Sequence, residues 1–335
     1  MTAPARVPAA TRLVAGIDEA GLGPLLGPLT LGFSVLRLPR GGLNVWDELA
    51  TVVSRVARDD AKRLVVADSK KVHARNPRGR RRLETTVLGF LAQRPGGAPT
   101  DGAALLRCAA ESFRPRASVV ARHPWYAELP AHLPLWVDAG RLELRAEALR
   151  RELEQRNIEL VDAGVRLIPA GELNRSFRRT HNKGVTVWTR VASILKHIWM
   201  RYGAENPHVI VDRQGGRFRY ARPLKAAVPE AQLVVGHESP NHSEYQLDSP
   251  DGTRSMRVTF AEKAEDRAFT VALASCIAKY TRELAMDAFN NYFLALQPGL
   301  LPTAGYTTDG RRWVRDAEAT LHASGIDPEL LIRQR

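Results

Sequence analysis

Gly16-Ile17-Asp18-Glu19-Ala20-Gly21-Leu22-Gly23-Pro24 is the stretch on which the rest of the chain is organised. The apolar residues 13–17 lead into two adjacent carboxylates, and a Gly-x-Gly-Pro turn follows, echoed by Gly27-Pro28. The run is too short for an ordinary helix and is bounded by breakers, which predicts a buried strand. Successive side chains of a strand point to opposite faces. Asp18 and Glu19 therefore reach one site only where the strand ends and twists into the turn. Acids at such an end can present metal ligands to solvent. The same residues could also cap a turn and face water.

Working outward, Leu29-Thr30-Leu31-Gly32-Phe33-Ser34-Val35-Leu36 is a second strand, close enough to pair with the first as an antiparallel hairpin. Residues 44–64 look helical. Asp68-Ser69-Lys70-Lys71-Val72 precedes the densest basic group, Arg75, Arg78, Arg80, Arg81 and Arg82, which runs into a helix carrying Leu83, Val87 and Leu91. Residues 94–104 form a loop, and residues of about 95–157 form an insertion holding His123-Pro124-Trp125-Tyr126 and a charged helix over 142–156. Residues 158–169 alternate as a strand. Val187, Val191, Ile194, Leu195 and Ile198 recur at helical spacing over about 185–202. Val209-Ile210-Val211-Asp212 is a short apolar strand ending in acid, like the first, and Leu233-Val234-Val235 is another strand. Residues 239–254 are polar with Pro240, Pro250 and Gly252, which predicts a loop or hairpin tip. Met256, Val258 and Phe260 alternate into Glu265 and Asp266, and a long helix runs over about 268–294. Strands alternating with helices predict an α/β fold.

The 335 residues suffice for a sizeable core. Hydrophobic content of 44% with 25% charged residues is that of a soluble globular chain. A net charge of +13 with clustered arginines points to a polyanion, nucleic acid before anionic membrane. The two cysteines, Cys108 and Cys276, are too few for a disulfide framework and fit a reducing compartment such as the cytoplasm. No stretch approaches the length and apolarity of a membrane span. Residues 1–11 read as a short flexible tail.

The chemistry gathers in acids at element ends. Asp18 and Glu19 close one strand, Asp212 closes another, and Glu265 and Asp266 precede the long helix. If the two strands are neighbours, four hard oxygen donors converge at one sheet edge, which favours Mg²⁺ or Mn²⁺ over zinc. His237 and His242 lack further ligands nearby. Two ions about 3.5–4 Å apart would serve in-line displacement at phosphorus.

Gly16 to Pro24 with Gly27-Pro28 resembles the opening motif of the type 2 ribonucleases H (ribonuclease HII). Asp68-Ser69-Lys70-Lys71-Val72, Glu172-Leu173-Asn174, Val209-Ile210-Val211-Asp212, the helix segment from Val271 to Glu283 and Ala304-Gly305-Tyr306-Thr307-Thr308 are similar to that family's later motifs, in order. The resemblance implies a ribonuclease H-like fold, a mixed five-stranded sheet flanked by helices. The catalytic domain would span 12–294, interrupted by the insertion, with a C-terminal helical, substrate-contacting extension over 295–335. It implies an endonuclease that hydrolyses RNA paired with DNA by a two-metal mechanism, leaving 3′-hydroxyl and 5′-phosphate ends. Asp18, Glu19, Asp212 and Glu265 would be the catalytic, metal-holding acids. Gly21, Leu22, Gly23, Ser69, Lys70, Lys71, Lys279, Arg282 and Tyr306 would touch an RNA/DNA hybrid or a ribonucleotide-containing duplex. The glycines and Tyr306 would read the 2′-hydroxyl.

Three departures stand out. Glu265 occupies the place of the family's aspartate, with Asp266 one position off. Leu22 replaces a basic residue of the opening motif, and Arg213-Gln214 separate Asp212 from the next glycine. None removes a carboxylate. A nuclease for another nucleic-acid structure, and a non-catalytic nucleic-acid-binding protein, remain as alternatives.

Overall fold

The computed structural model describes residues 11–41, 44–74, 76–110, 113 and 117–334. The tail expected over 1–11 lies outside these residues except for Thr11, as does Arg75 of the basic group.

Among the described residues nine strands form: β1 (Thr11–Ala20), β2 (Leu29–Pro39), β3 (Val53–Ser54), β4 (Leu64–Val65), β5 (Glu159–Ile168), β6 (His208–Asp212), β7 (Gln232–Glu238), β8 (His242–Asp248) and β9 (Ser255–Ala261). Seven of them build one mixed sheet in the order β5-β2-β1-β6-β9-β8-β7, while β3 and β4 pair separately. Strands β5, β2 and β1 are antiparallel. Strands β1, β6 and β9 are parallel, and β8 and β7 continue antiparallel. The hairpin read from the sequence is the β1–β2 pair, with Ile17 facing Phe33.

Five strands were expected, and β8 and β7 extend that set. The segment read as a loop or hairpin tip over 239–254 contains β8. Its polar composition masks an alternation in which Ser243, Tyr245 and Leu247 turn inward. Tyr245 is fully buried, and its hydroxyl accepts from the Tyr220 N–H at 2.8 Å. The helix expected over 44–64 is confined to Val45–Glu48. The β-branched residues Thr51, Val52 and Val53 favour extended backbone, and Val53 enters β3 instead.

Helices cover both faces of the sheet. On one face lies Lys183–Tyr202, whose Val187, Val191, Ile194, Leu195 and Ile198 are all buried, as their spacing predicts. On the other lies Phe269–Leu296. It packs against β1 and β2 at a distance that excludes any side chain at Gly32, where a Cβ would stand 2.1 Å from the Ala274 carbonyl oxygen. The Thr30 and Ser34 hydroxyls of β2 donate to the Ala278 and Thr270 carbonyls, fixing the helix along the sheet.

The insertion packs outside this helix, and its helix Ala139–Gln155 lies along Pro77–Leu91. The fully buried Glu84 carboxylate accepts from the Leu135, Trp136 and Val137 N–H groups and from the Tyr280 hydroxyl. One ionisable group thus anchors three consecutive insertion residues. The C-terminal helices Thr307–Asp316 and Glu318–Ser324 lead to a tail that folds back on the first turn, where Ile332 bridges to Leu26. Among the described residues no helix is long and apolar enough to cross a membrane.

Candidate active site

Strands β1 and β6 run parallel with Ile17 level with Val211. The next residue on each is an acid, so Asp18 and Asp212 sit side by side where the pairing of the two strands stops; β6 ends at Asp212, whereas β1 runs on against β2 to Ala20, two residues beyond the expected end. Asp18 is buried, and its Oδ1 accepts from the Glu19 N–H at 2.7 Å. Asp212 accepts from the Ala264 N–H at 3.1 Å. That bond ties β6 to the short turn Ala264–Asp266, which carries Glu265. Glu265 leaves Oε2 buried without a hydrogen-bond partner. Asp266 faces the other way and pairs with Lys71 at 3.1 Å. The structure therefore sets Glu265, rather than Asp266, beside Asp212.

All four acids hold their protons more tightly than usual. Asp18 is raised well above the ordinary range by burial, then by the Glu19 and Asp212 charges, against a hydrogen bond to Ser275. Glu19 is pushed up to about 7 by burial and then by Asp212 and Glu265. Asp212 is raised by burial, with the Ala264 N–H opposing. Burial also raises Glu265, and Asp212, Asp68 and Asp266 add to it. The nearby Lys70 draws Glu19 and Asp212 partway back.

Among the described residues no three His, Cys, Asp or Glu side chains stand in ready metal-ligand geometry. The donor set nevertheless fits a hard divalent cation, being four carboxylates with one buried orphan oxygen.

Some residues expected to touch substrate do not face it. Ser69 is buried, and its hydroxyl accepts from Ser275 at 3.0 Å, tying Asp68-Ser69-Lys70-Lys71 to the long helix. Lys71 is taken by Asp266, and Lys279 by Glu283 at 2.5 Å. Arg282 is 1% exposed, donates to the Ala304 carbonyl and lies over the Tyr306 ring. Arg282 thus supports the site from beneath. Leu22 packs against the sheet core and lines a small cavity with Phe177 and Val187, so it faces the interior. Of the basic group, Arg78 and Arg82 pair with Asp60, and Arg80 pairs with Asp287. Only Lys70, Gly21, Gly23 and the half-exposed Tyr306 remain at the mouth.

Sequence reasoning missed Arg333. Its guanidinium is buried and donates to the carbonyls of Gly21 and Gly27, while its N–H donates to Leu25. Burial and then Arg282 pull it down to about 9, and Nη2 is left without a partner. Gly21 has φ +86°, and a Cβ there would stand 2.4 Å from Arg282 Nε. Two buried guanidiniums thus hold the turn that follows the first acids. Nothing in a terminal Arg-Gln-Arg distinguishes such a residue from a solvated tail.

Residues 221–318 match the family model described as Ribonuclease HII. Over this segment the chain is similar to the type 2 ribonucleases H. The match includes Glu265, Lys279, Arg282 and Tyr306; Asp18, Glu19 and Asp212 precede it. No curated protein matches the chain by sequence. Among solved structures the chain is similar to a ribonuclease H2 from Pyrococcus horikoshii OT3, with 18% identity, a TM-score of 0.44, and coverage of 95% of this chain and 92% of that one. It is similar also to RNase HII of Archaeoglobus fulgidus in a PCNA complex, with 17% identity, a TM-score of 0.42, and coverage of 96% and 94%. A Bst-RNase HIII in complex with Mn²⁺ shares 14% identity at a TM-score of 0.39, with coverage of 97% and 67%. The roles of individual residues in this chain rest on its own geometry.

Proposed function

We propose that the chain is a divalent-metal-dependent endonuclease that hydrolyses the RNA strand of RNA/DNA hybrids, leaving 3′-hydroxyl and 5′-phosphate ends. The observation that carries this reading is the placement of Asp18 and Asp212 side by side on adjacent parallel strands, with Glu19 next along β1 and Glu265 on the turn whose Ala264 N–H donates to Asp212. Bound there, two Mg²⁺ or Mn²⁺ ions supply an activated water and balance charge on the leaving 3′-oxygen. Asp18 and Asp212 would hold such ions from adjacent strands, with Glu19 and Glu265 completing the donor set. Lys70 offers its ammonium to the phosphate at the mouth. Gly21 and Gly23 bring main-chain groups within reach of a 2′-hydroxyl, the group that separates RNA from DNA. Tyr306 packs against the neighbouring sugar. The cytoplasm is the compartment that suits the free Cys108 and the buried Cys276.

A labelled RNA/DNA hybrid is incubated with Mg²⁺ or Mn²⁺ beside RNA alone, DNA alone and a duplex with one ribonucleotide. Cleavage confined to ribonucleotide-containing duplexes is expected, with Mn²⁺ the better ion because Glu265 reaches one methylene farther than aspartate and Mn²⁺ tolerates looser geometry than Mg²⁺. Equal cleavage of all-DNA duplex removes the ribose-reading role of the turn. No cleavage of any substrate removes the enzymatic reading.

A further inference from the structure

Beside the acids the molecule carries a charged surface to which the reaction assigns no part. The insertion segment anchored by Glu84 sets Trp136 between two cavities. One, of about 530 Å³, is lined by Lys279, Tyr306, Arg80, Arg81 and Trp136 among others. Lys279 is one helical turn beyond Ser275, which bonds to Asp18, so this cavity begins about 6 Å along the helix from the site. The other, of about 300 Å³, is lined by Arg81, Trp136, Arg141 and Arg145 among others. Arg81 and Trp136 line both, so the two cavities are neighbours.

The balance of charge separates these arginines from their neighbours. Arg78 and Arg82, in the second cavity, share the single carboxylate of Asp60. Arg81, Arg141 and Arg145 have no carboxylate partner among the described residues. Arg141 and Arg145 stand four residues apart on one helix face and both reach the single carbonyl of Ala61. Like charges at this spacing oppose the helix that carries them. Six arginines against two aspartates line the second cavity.

We propose that Arg81, Arg141 and Arg145 form a phosphate track, with Trp136 as its apolar wall, that holds the arm of a nucleic-acid duplex leading away from the acids. The insertion is then a duplex-binding element. This rests on the nucleic-acid reading above and adds where the substrate runs. Cations of this kind position a backbone without reading its sequence.

The test is binding of a long RNA/DNA hybrid in metal-free buffer with EDTA, followed by fluorescence anisotropy over a salt series. The protein is compared with the Arg141→Gln/Arg145→Gln double variant. A second double variant, Arg141→Lys/Arg145→Lys, keeps the charge. A third, Arg150→Gln/Arg151→Gln, removes arginines already paired with Glu147. The first should reduce the slope of log affinity against log salt by about 1.8, nearly one per lost phosphate contact. It should weaken binding more for a long hybrid than for one too short to reach the insertion. The lysine and control variants should keep the wild-type slope. An unchanged slope in the glutamine variant, or an equal fall in the lysine variant, overturns the track. If the wild-type protein cleaves nothing but the slope still falls, the enzymatic reading fails and the track stands. If it cleaves while the slope is unchanged, the track alone fails. No salt-dependent binding by the wild-type protein overturns both.

Discussion

The acids at the ends of β1 and β6 and the arginines of 78–82 are both dense runs of one charge, and the fold treats them in opposite ways. Arg78 and Arg82 share the carboxylate of Asp60 and Arg80 pairs with Asp287, while Arg81 has no carboxylate partner among the described residues. Asp18, Glu19, Asp212 and Glu265 each lie within electrostatic reach of at least one other acid of the set, with Lys70 the cation that offsets Glu19 and Asp212. Density of charge in a sequence therefore says little by itself. Charge that the fold leaves unbalanced marks where a ligand of opposite sign is wanted, because its burial otherwise costs stability.

The largest effect expected from breaking this contrast is on chemistry. Asp212→Asn keeps the shape and removes a charge, so hybrid cleavage should fall by orders of magnitude in a single-turnover assay while metal-free hybrid binding persists. The same change should raise the melting temperature of the metal-free protein by a few degrees, since repulsion is relieved. Wild-type cleavage by this variant removes Asp212 from the site. A lower melting temperature with activity intact leaves Asp212 as no more than the partner of the Ala264 N–H.

Arg333→Ala comes next. It frees the Gly21 and Gly27 carbonyls and loosens the turn, so KM for the hybrid should rise about tenfold, the equivalent of roughly 1.4 kcal/mol. Arg333→Lys should recover part of this. A KM unchanged in Arg333→Ala separates the tail from the site.

A pH series sharpens the comparison further. Glu19 moves from 4.5 to about 7 on folding, so the metal-free folded chain takes up a proton there that the unfolded chain does not. Its stability contribution is intact below pH 4.5 and is lost as pH rises through 7. His208, pulled down to about 4 mainly by burial, acts in the opposite direction over part of the same interval. The informative quantity is therefore the melting temperature of Glu19→Gln minus that of the wild-type protein, in which His208 cancels. That difference should grow from pH 4.5 to pH 7 without metal and shrink with Mn²⁺. A difference independent of pH contradicts the raised Glu19. The smallest effect is expected from Arg78→Gln, whose guanidinium is already held by Asp60. It should leave the salt slope of hybrid binding unchanged, and a fall of nearly one would return Arg78 to the substrate surface.

The two strands that end in acid were readable because apolar run, acid and breaker follow in order, and the helix over 183–202 because its period is regular. Strand β8 was hidden because only Ser243, Tyr245 and Leu247 carry its inward face, and Ser243 does not look like core. The split of Glu265 from Asp266 depends on a turn in which Lys263 adopts φ +53°, which residue type does not announce. The roles of Ser69, Arg282 and Arg333 depend on partners 206, 22 and 306 positions away in the chain, so no local pattern carries them.

The most direct test is calorimetric titration of the protein with Mn²⁺ at neutral pH, beside Asp212→Asn. If the unbalanced acids are a metal centre, the wild-type protein binds Mn²⁺ with proton release, and Asp212→Asn loses most of that binding. Equal binding by the two proteins, or none by the wild-type protein, would contradict it.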